Sequence, residues 1–249
     1  MTARFIPDKV TVKKWRRSGE LLKRSTPQIN RRYQYNEWRA LWENHVFDVF
    51  HLSFGDLFAG KKVLEVGCGL YGLIHFTPES AMRIGIDPLC GAYKGLWLDA
   101  NVSHVISTGE SLPFNAGTFD VVIIWNVLDY SLEPLSVLRE AHRVLNDGGS
   151  LLLLVVTYSD APGWLRKRLS QVDSTRTQHL SHSEMDSLLG KCNLRIRTKT
   201  ISRPNFFKSV SRNLFSGFSC LSGLKVMFSA LVGMEFSYYF CSKSEVQRE

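Results

Sequence analysis

Val63-Leu64-Glu65-Val66-Gly67-Cys68-Gly69-Leu70-Tyr71-Gly72 decides the fold. An apolar strand runs directly into a Glu-x-Gly-x-Gly-x-x-Gly turn. The strand residues belong deep in a sheet, and the glycines let the backbone turn sharply and approach a ligand that a side chain would obstruct. About twenty residues on, Arg83-Ile84-Gly85-Ile86-Asp87 forms a second apolar run that ends in a carboxylate. That is where an acid must stand to hydrogen-bond a ribose hydroxyl bound over the first turn.

The acid before the first glycine qualifies this reading. Glu65 would repel a diphosphate, which a G-x-G-x-x-G turn otherwise cradles at a helix N-terminus. It suits a ligand with a cationic, amino-acid end. S-adenosylmethionine carries a sulfonium, an ammonium and no phosphate. The stretch resembles motif I of the class I S-adenosylmethionine-dependent methyltransferases. The resemblance continues through Gly109-Glu110-Ser111-Leu112-Pro113-Phe114, through Thr118 to Ile124, and through Leu138-Arg139-Glu140-Ala141-His142-Arg143-Val144-Leu145-Asn146-Asp147-Gly148-Gly149. It covers residues 60 to 194 in order. Gly85-Ile86-Asp87-Pro88-Leu89 and Asn126-Val127-Leu128-Asp129 are most similar to the methyltransferase type 11-like branch found among glycan- and O-antigen-cluster enzymes. The resemblance implies an α/β, Rossmann-like sheet of seven strands whose last strand is antiparallel.

The bulk properties narrow the surroundings. The chain has 249 residues, which fits one α/β domain with additions. Cysteines 68, 90, 192, 220 and 241 form no CxxC pair, which speaks against a zinc site or a disulfide framework and for a reducing compartment. No His/Asp/Glu cluster has metal-ligand spacing, so no metal is expected. The N-terminus opens on charged residues, and no run of about eighteen apolar residues occurs, so neither a secretory leader nor a membrane span is expected. A cytoplasmic protein, peripheral to a membrane at most, is the expectation. The net charge of +8 lies within the first 39 residues, where eleven Lys and Arg face only Asp8, Glu20 and Glu37. Such an arm can contact nucleic acid, an acidic membrane surface or an anionic substrate, or be a solvated tail.

Residues 1–50 are expected to form the basic arm and an amphipathic helix over 35–50, with Trp38, Leu41, Trp42, His45, Val46, Val49 and Phe50 at three- and four-residue steps. Residues 51–249 are expected to form the methyltransferase domain. Strands are expected at 62–67, 83–87, 102–106, 119–125 and 150–156, the last two apolar enough to be buried on both faces. A helix over 133–145 should end on a glycine cap at Asp147-Gly148-Gly149. Ser181-His182-Ser183-Glu184 reads as a capping box opening a helix to Lys191. Two late strands follow at 194–200 and 236–241. Between them residues 201–235 are apolar and long enough to carry their own structure, expected as helices that roof the acceptor pocket or pack on the domain.

By resemblance, Glu65 lies near the amino-acid end of the cofactor and orders the turn. Gly67, Cys68, Gly69 and Gly72 provide close backbone approach, and Asp87 accepts from the ribose hydroxyls. Family members often carry an Asp where this chain has Thr108. Thr108, Glu110 and Leu112 are expected around the adenine, and Asn126 where methyl donor and acceptor meet. Tyr33, Tyr35 and Trp38 are further pocket candidates. Many relatives place a His where this chain has Tyr130, and an unperturbed tyrosine near pKa 10 is a poor base at neutral pH. The base candidates are Asp129, Tyr130, His179 and His182. A base is also dispensable, because transfer from a sulfonium is in-line displacement of a good leaving group that positioning accelerates.

Three functions fit these residues. One is O-methylation of a small molecule, sugar or glycan-lipid precursor. A second is methylation of nucleic acid held by the basic arm, against which stands the lack of an Asn/Asp-Pro-Pro-Tyr/Phe run after the fourth strand. A third is binding of S-adenosylmethionine without catalysis.

Overall fold

The computed structural model describes residues 12, 13, 15, 16, 20, 31–94, 98–159, 176–203 and 233–244. Helix α1 (Arg31–Phe50) leads into the short α2 (Phe54–Phe58), β1 (Lys62–Val66) and β2 (Met82–Ile86). Then come β3 (Ser103–Val105), β4 (Phe119–Trp125), α3 (Pro134–Val144), β5 (Leu145–Tyr158), β6 (Leu180–Ser181), α4 (His182–Lys191), β7 (Leu194–Ser202) and β8 (Met234–Lys243). Seven strands lie in the order β3-β2-β1-β4-β5-β8-β7, with β6 attached to β5. The strands from β3 to β5 pair in parallel, and β8 is antiparallel to both β5 and β7. This is the expected α/β sheet with its last strand reversed, plus the two-residue β6.

Alternation along the strands divides the core into two layers. Leu64, Val66, Val122, Ile124, Leu151, Leu153 and Val155 pack against α3 and α4 residues such as Leu138, Val144, Met185 and Leu189. Val63, Val121, Ile123, Leu152 and Leu154 face Val46, Val49, Phe50, Leu57 and Phe58 of α1 and α2. Residues apolar on both faces are what a doubly covered parallel sheet requires. Helix α1 therefore shares one core with the sheet. Trp38 and Leu41 were expected inward but are 41% and 61% exposed, because the face that meets the sheet is set by Trp42, Val46, Val49 and Phe50.

Two local expectations meet different outcomes. The capping box forms: the Ser181 hydroxyl accepts from the Glu184 amide at 3.2 Å, and the Glu184 carboxylate accepts from the Ser181 amide at 2.8 Å. The glycine cap after α3 does not. The helix ends at Val144, Leu145 turns extended, and the chain enters β5 at once. Gly148 takes its positive φ of 75° inside β5, where the pairing with β4 shifts register. The Asp147-Gly148-Gly149 signal thus marks an irregular strand entry, a second use of left-handed glycine.

Most of the 201–235 segment, expected as a lid, lies outside the described residues, as does the Tyr33 side chain.

Candidate active site

The C-terminal ends of β1, β2, β3 and β4 open onto a cleft of about 300 Å³. Its floor is the glycine turn. The Gly67 and Cys68 amides both donate to the Ile86 carbonyl, at 2.7 and 3.0 Å, which ties the turn to the end of β2. Gly67 has φ of 74°, and a Cβ there would stand 2.3 Å from Cγ2 of Val127, so both its conformation and its neighbour demand glycine. Gly69 is also left-handed, and its amide donates to Oδ2 of Asp87 at 3.2 Å. Oδ1 of Asp87 accepts from the Leu89 amide at 2.7 Å. Burial pushes the Asp87 carboxyl up, against the pull of these two donors.

Glu65 stands behind the turn. It is buried, and its two oxygens accept from the Leu73 and Ile74 amides at 3.2 and 2.8 Å. A Cβ at Gly72 would come within 2.5 Å of the same carboxylate. Burial pushes the Glu65 carboxyl up to about 8, with the amides pulling the other way. Cys68 is buried, and the neighbouring Cys90 thiol together with desolvation pushes its own thiol well up.

The structure sorts the sequence-derived residues into wall and support. Gly67, Gly69, Asp87, Thr108, Glu110, Asn126 and Tyr130 line the cleft. Glu65, Cys68, Gly72 and Leu112 do not. Leu112 belongs to the core, where its amide donates to Glu140 at 2.7 Å and its carbonyl accepts from Arg143 at 3.0 Å. Glu110 accepts from the Leu132 amide at 3.0 Å, bridging the loops after β3 and β4. Asn126 holds a left-handed φ of 56° directly after β4, with its amide on the Leu154 carbonyl.

The base candidates separate in the same way. Only Tyr130 reaches the wall. Asp129 is fully buried and ion-paired with Arg176 at 2.6 Å, so the low-dielectric surroundings and the guanidinium commit its carboxylate to structure. Its carbonyl accepts from the Thr177 and Gln178 amides. The His179 ring lies 5.4 Å from the Tyr158 ring, off the cleft. His182 faces Glu235, Ser237 and Thr157. Tyr35 and Trp38 are engaged elsewhere: Tyr35 donates to the His75 carbonyl at 3.0 Å and Trp38 stacks on Tyr71.

Tyr130 is held from several sides. Its carbonyl accepts from Thr177 Oγ1 at 2.8 Å and from the indole N–H of Trp15 at 3.2 Å, and the Arg176 guanidinium lies 5.7 Å from its ring centre. Trp15 also lines the cleft, as do Leu89, Tyr93, Ser107 and Val127. Leu89 and Tyr93 follow Asp87 closely enough that an apolar shelf could have been read from their position. Nothing in the sequence ties Trp15 to a turn some fifty residues away.

The cleft fits S-adenosylmethionine. Left-handed glycines expose the backbone where a ligand must come close, Asp87 stands on the wall beside them, and among the described residues no cation lines the cleft that would match a diphosphate. Residues 33–199 match the family model described as a methyltransferase domain. The chain belongs to the class I S-adenosylmethionine-dependent methyltransferases. Among curated methyltransferases it is 27% identical over 153 residues to the tRNA U34 carboxymethyltransferase of Campylobacter concisus, covering 58% of this chain and 48% of that protein. It is 33% identical over 109 residues to the ubiquinone biosynthesis O-methyltransferase of Pseudomonas aeruginosa, covering 39% and 45%. The chain thus spans about half the length of these relatives. A solved structure of geranyl diphosphate C-methyltransferase from Streptomyces coelicolor, in complex with S-adenosyl-L-homocysteine, superposes with a TM-score of 0.65 at 12% identity, covering 82% of this chain and 76% of that one. The likeness at that identity is one of fold. Among the described residues of this methyltransferase, no group of three His, Cys, Asp or Glu could hold a metal ion, and no helix is long and apolar enough to cross a membrane.

Proposed function

We propose that this methyltransferase transfers the methyl group of S-adenosylmethionine to a hydroxyl of a small molecule, sugar or glycan-lipid precursor, in the cytoplasm or at a membrane surface facing it. The observation that carries this reading is the join between the Asp87–glycine wall and the Asn126–Tyr130 wall in one cleft. Bound there, S-adenosylmethionine supplies a methyl group activated by the sulfonium. Gly67, Gly69 and Asp87 would hold its ribose and amino-acid portions, with Glu65 bracing the turn through two amides. Thr108 and Glu110 would border the adenine.

Asn126 and Tyr130 would orient the acceptor. With Asp129 paired and His179 turned away, positioning is the larger share of the catalysis assigned to these residues. Tyr130→Phe should lower turnover by less than about tenfold, below the roughly 10²–10⁴-fold that acid–base catalysis contributes; a loss of about a thousandfold would instead make Tyr130 the proton acceptor. The curated relatives act, by name, on a tRNA nucleoside and in ubiquinone biosynthesis. The second supports an O-linked acceptor. The first keeps nucleic acid as the competing acceptor, which steep salt dependence of RNA binding would favour.

Calorimetric titration of S-adenosylhomocysteine tests the cofactor site. Binding to the wild type that weakens at least about tenfold in Asp87→Ala is expected, since a charge-assisted hydrogen bond is worth on the order of 1.5–3 kcal/mol. Absence of binding to the wild type would sink the reading.

A further inference from the structure

A histidine outside the base candidates stands at the cleft-bearing edge of the sheet. Helix α1 crosses the sheet on the face opposite α3 and α4. Trp38, Leu41 and His45 fall three and four residues apart and so share one side of it. That side follows the C-terminal ends of the strands. Trp38 stacks on Tyr71 of the glycine turn, with ring centres 6.0 Å apart, and His45 meets Trp125, the last residue of β4, at 5.7 Å. Trp125 immediately precedes Asn126, which is exposed and lines the cleft. The stripe therefore runs from the glycine turn to the end of β4, the two places a methyl donor and its acceptor must share.

The β4 end of the stripe is a corner. Trp125 pairs with Leu154 and Leu154 with Tyr238, which puts Trp125 and Tyr238 at one level, their ring centres 5.9 Å apart. Strand β4 stops there, while β5 runs on to Tyr158 paired with Met234 of β8, so these two strands rise beyond it as a wall. His45 lies in this corner, steeply inclined to both rings, at 73° to Trp125 and 66° to Tyr238. It is partly exposed, and its ring nitrogens make no hydrogen bond among the described residues. Leu41, one turn before it, is 61% exposed. Burial lowers the His45 pKa, against the pull of Asp48 on the same helix, so the ring is neutral at neutral pH and can take a proton. Strand β4 presents Trp125 to it, and β8 presents Tyr238, whose phenol burial holds protonated. A polyol would set most of its hydroxyls against carbon here and leave them unpaired, whereas a flat ring with a single hydroxyl would match the aromatic surface and need one polar partner.

We propose that this corner seats a planar aromatic acceptor bearing a hydroxyl, and that His45 takes the hydroxyl proton as the methyl group is transferred. The acceptor oxygen bonds the methyl carbon, the carbon–sulfur bond breaks with its electron pair passing to sulfur, and the proton goes to a His45 ring nitrogen and from there to solvent. The inference rests on the methyl-transfer reading above and narrows its acceptor to a phenol.

The test uses umbelliferone, a planar phenol, and methyl glucoside, a polyol. Both are titrated calorimetrically into the full chain saturated with S-adenosylhomocysteine. Umbelliferone is expected to bind and the glucoside is not. Leu41→Asp, a change at an exposed position, should weaken umbelliferone about tenfold, the least that burying a leucine contributes. The His45 ring-proton resonances, assigned by their loss in His45→Gln, should shift when umbelliferone is added. In turnover of umbelliferone, His45→Gln should lower kcat at least about a hundredfold with little change in KM, and should abolish the fall of kcat toward acid pH that protonation of the ring produces. Umbelliferone that does not bind, binding unchanged in Leu41→Asp, resonances that do not shift, or a pH profile unchanged in His45→Gln each overturns the proposal. Preference for methyl glucoside overturns it as well and leaves O-methylation standing. Failure of S-adenosylhomocysteine itself to bind sinks the methyl-transfer reading, whereas failure of umbelliferone on a chain that holds the nucleoside sinks this inference alone.

Discussion

The two ends of the cleft-bearing edge are built from different materials. At the β1–β2 end the bonds are largely backbone to carboxylate: the Leu73 and Ile74 amides to Glu65, and the Gly69 and Leu89 amides to Asp87. At the β5–β8 end they run between side chains. Glu235, 4% exposed, bonds His182 on one oxygen and Arg203 on the other, at 2.6 Å, while Ser237 joins Thr157 at 2.7 Å and the other His182 nitrogen at 3.1 Å. The first arrangement uses neighbours at most 18 residues apart and needs glycine where the chain folds back on itself. The second joins residues from β5, α4, β7 and β8, up to 80 apart in sequence. Local turns make a ligand cradle that survives changes elsewhere, whereas a dispersed polar network holds separate strands together.

The comparison breaks most sharply at Gly67. Gly67→Ala puts a methyl group into the Val127 side chain at a left-handed φ and should abolish S-adenosylhomocysteine binding in calorimetry. Adding Val127→Ala relieves the collision and leaves the backbone strain, so partial recovery is expected; full recovery would show that the conformation matters less than the contact.

At the other end Glu235→Ala removes the centre of the side-chain network. Desolvation pushes that carboxyl up, but Arg203 and His182 hold it below the usual carboxylate range, so it is charged at neutral pH. The Arg203 side chain is 82% exposed, so removing Glu235 leaves little buried charge; lost hydrogen bonds to a charged group cost about 1.5–3 kcal/mol, and urea unfolding should show a loss of that order. Cofactor binding measured below the unfolding transition should persist. If both collapse together, the two ends are one cooperative unit.

The pH dependence of stability gives a finer contrast. Glu65, raised from 4.5 to about 8, binds a proton in the folded state where the unfolded chain has released it. Its contribution is therefore complete below about pH 4.5 and lost as pH rises toward 8. His75, lowered by burial from 6.5 to about 3 and stacked on His104, behaves oppositely: its contribution is complete above about pH 6.5 and lost as pH falls toward 3. Each slope is at most about 1.4 kcal/mol per pH unit. Glu65→Gln should flatten the decline of Tm between pH 6.5 and 8, and His75→Phe the decline below pH 4.5. A profile unchanged in both variants would assign the slopes to other groups.

The strands, the capping box of α4 and the glycine–Asp87 wall were legible because each rests on local rules: alternation, a hydroxyl three residues before a glutamate, a turn only glycine can make. The same rules misassigned Asp147-Gly148-Gly149, since a left-handed glycine serves a strand irregularity as well as a helix cap. Trp38 and Leu41 fit the helical period of α1, but period alone does not fix which arc of the helix the sheet covers.

Catalytic assignment was least legible. Asp129, Tyr130 and His179 all stood as base candidates, and the ion pair of Asp129 with Arg176 and the tilted packing of the His179 ring on Tyr158 separate those two from Tyr130 on the wall. The sequence by itself determined the family, the parallel core of the sheet and the glycine turn with Asp87 that lines the cleft, because these depend on backbone conformations that few residues can adopt. Only the tertiary structure decided that Trp15 reaches the cleft, that Asp129 is paired and that His182 joins Glu235. Those outcomes depend on which distant side chains share a dehydrated space, and no spacing along the chain encodes that.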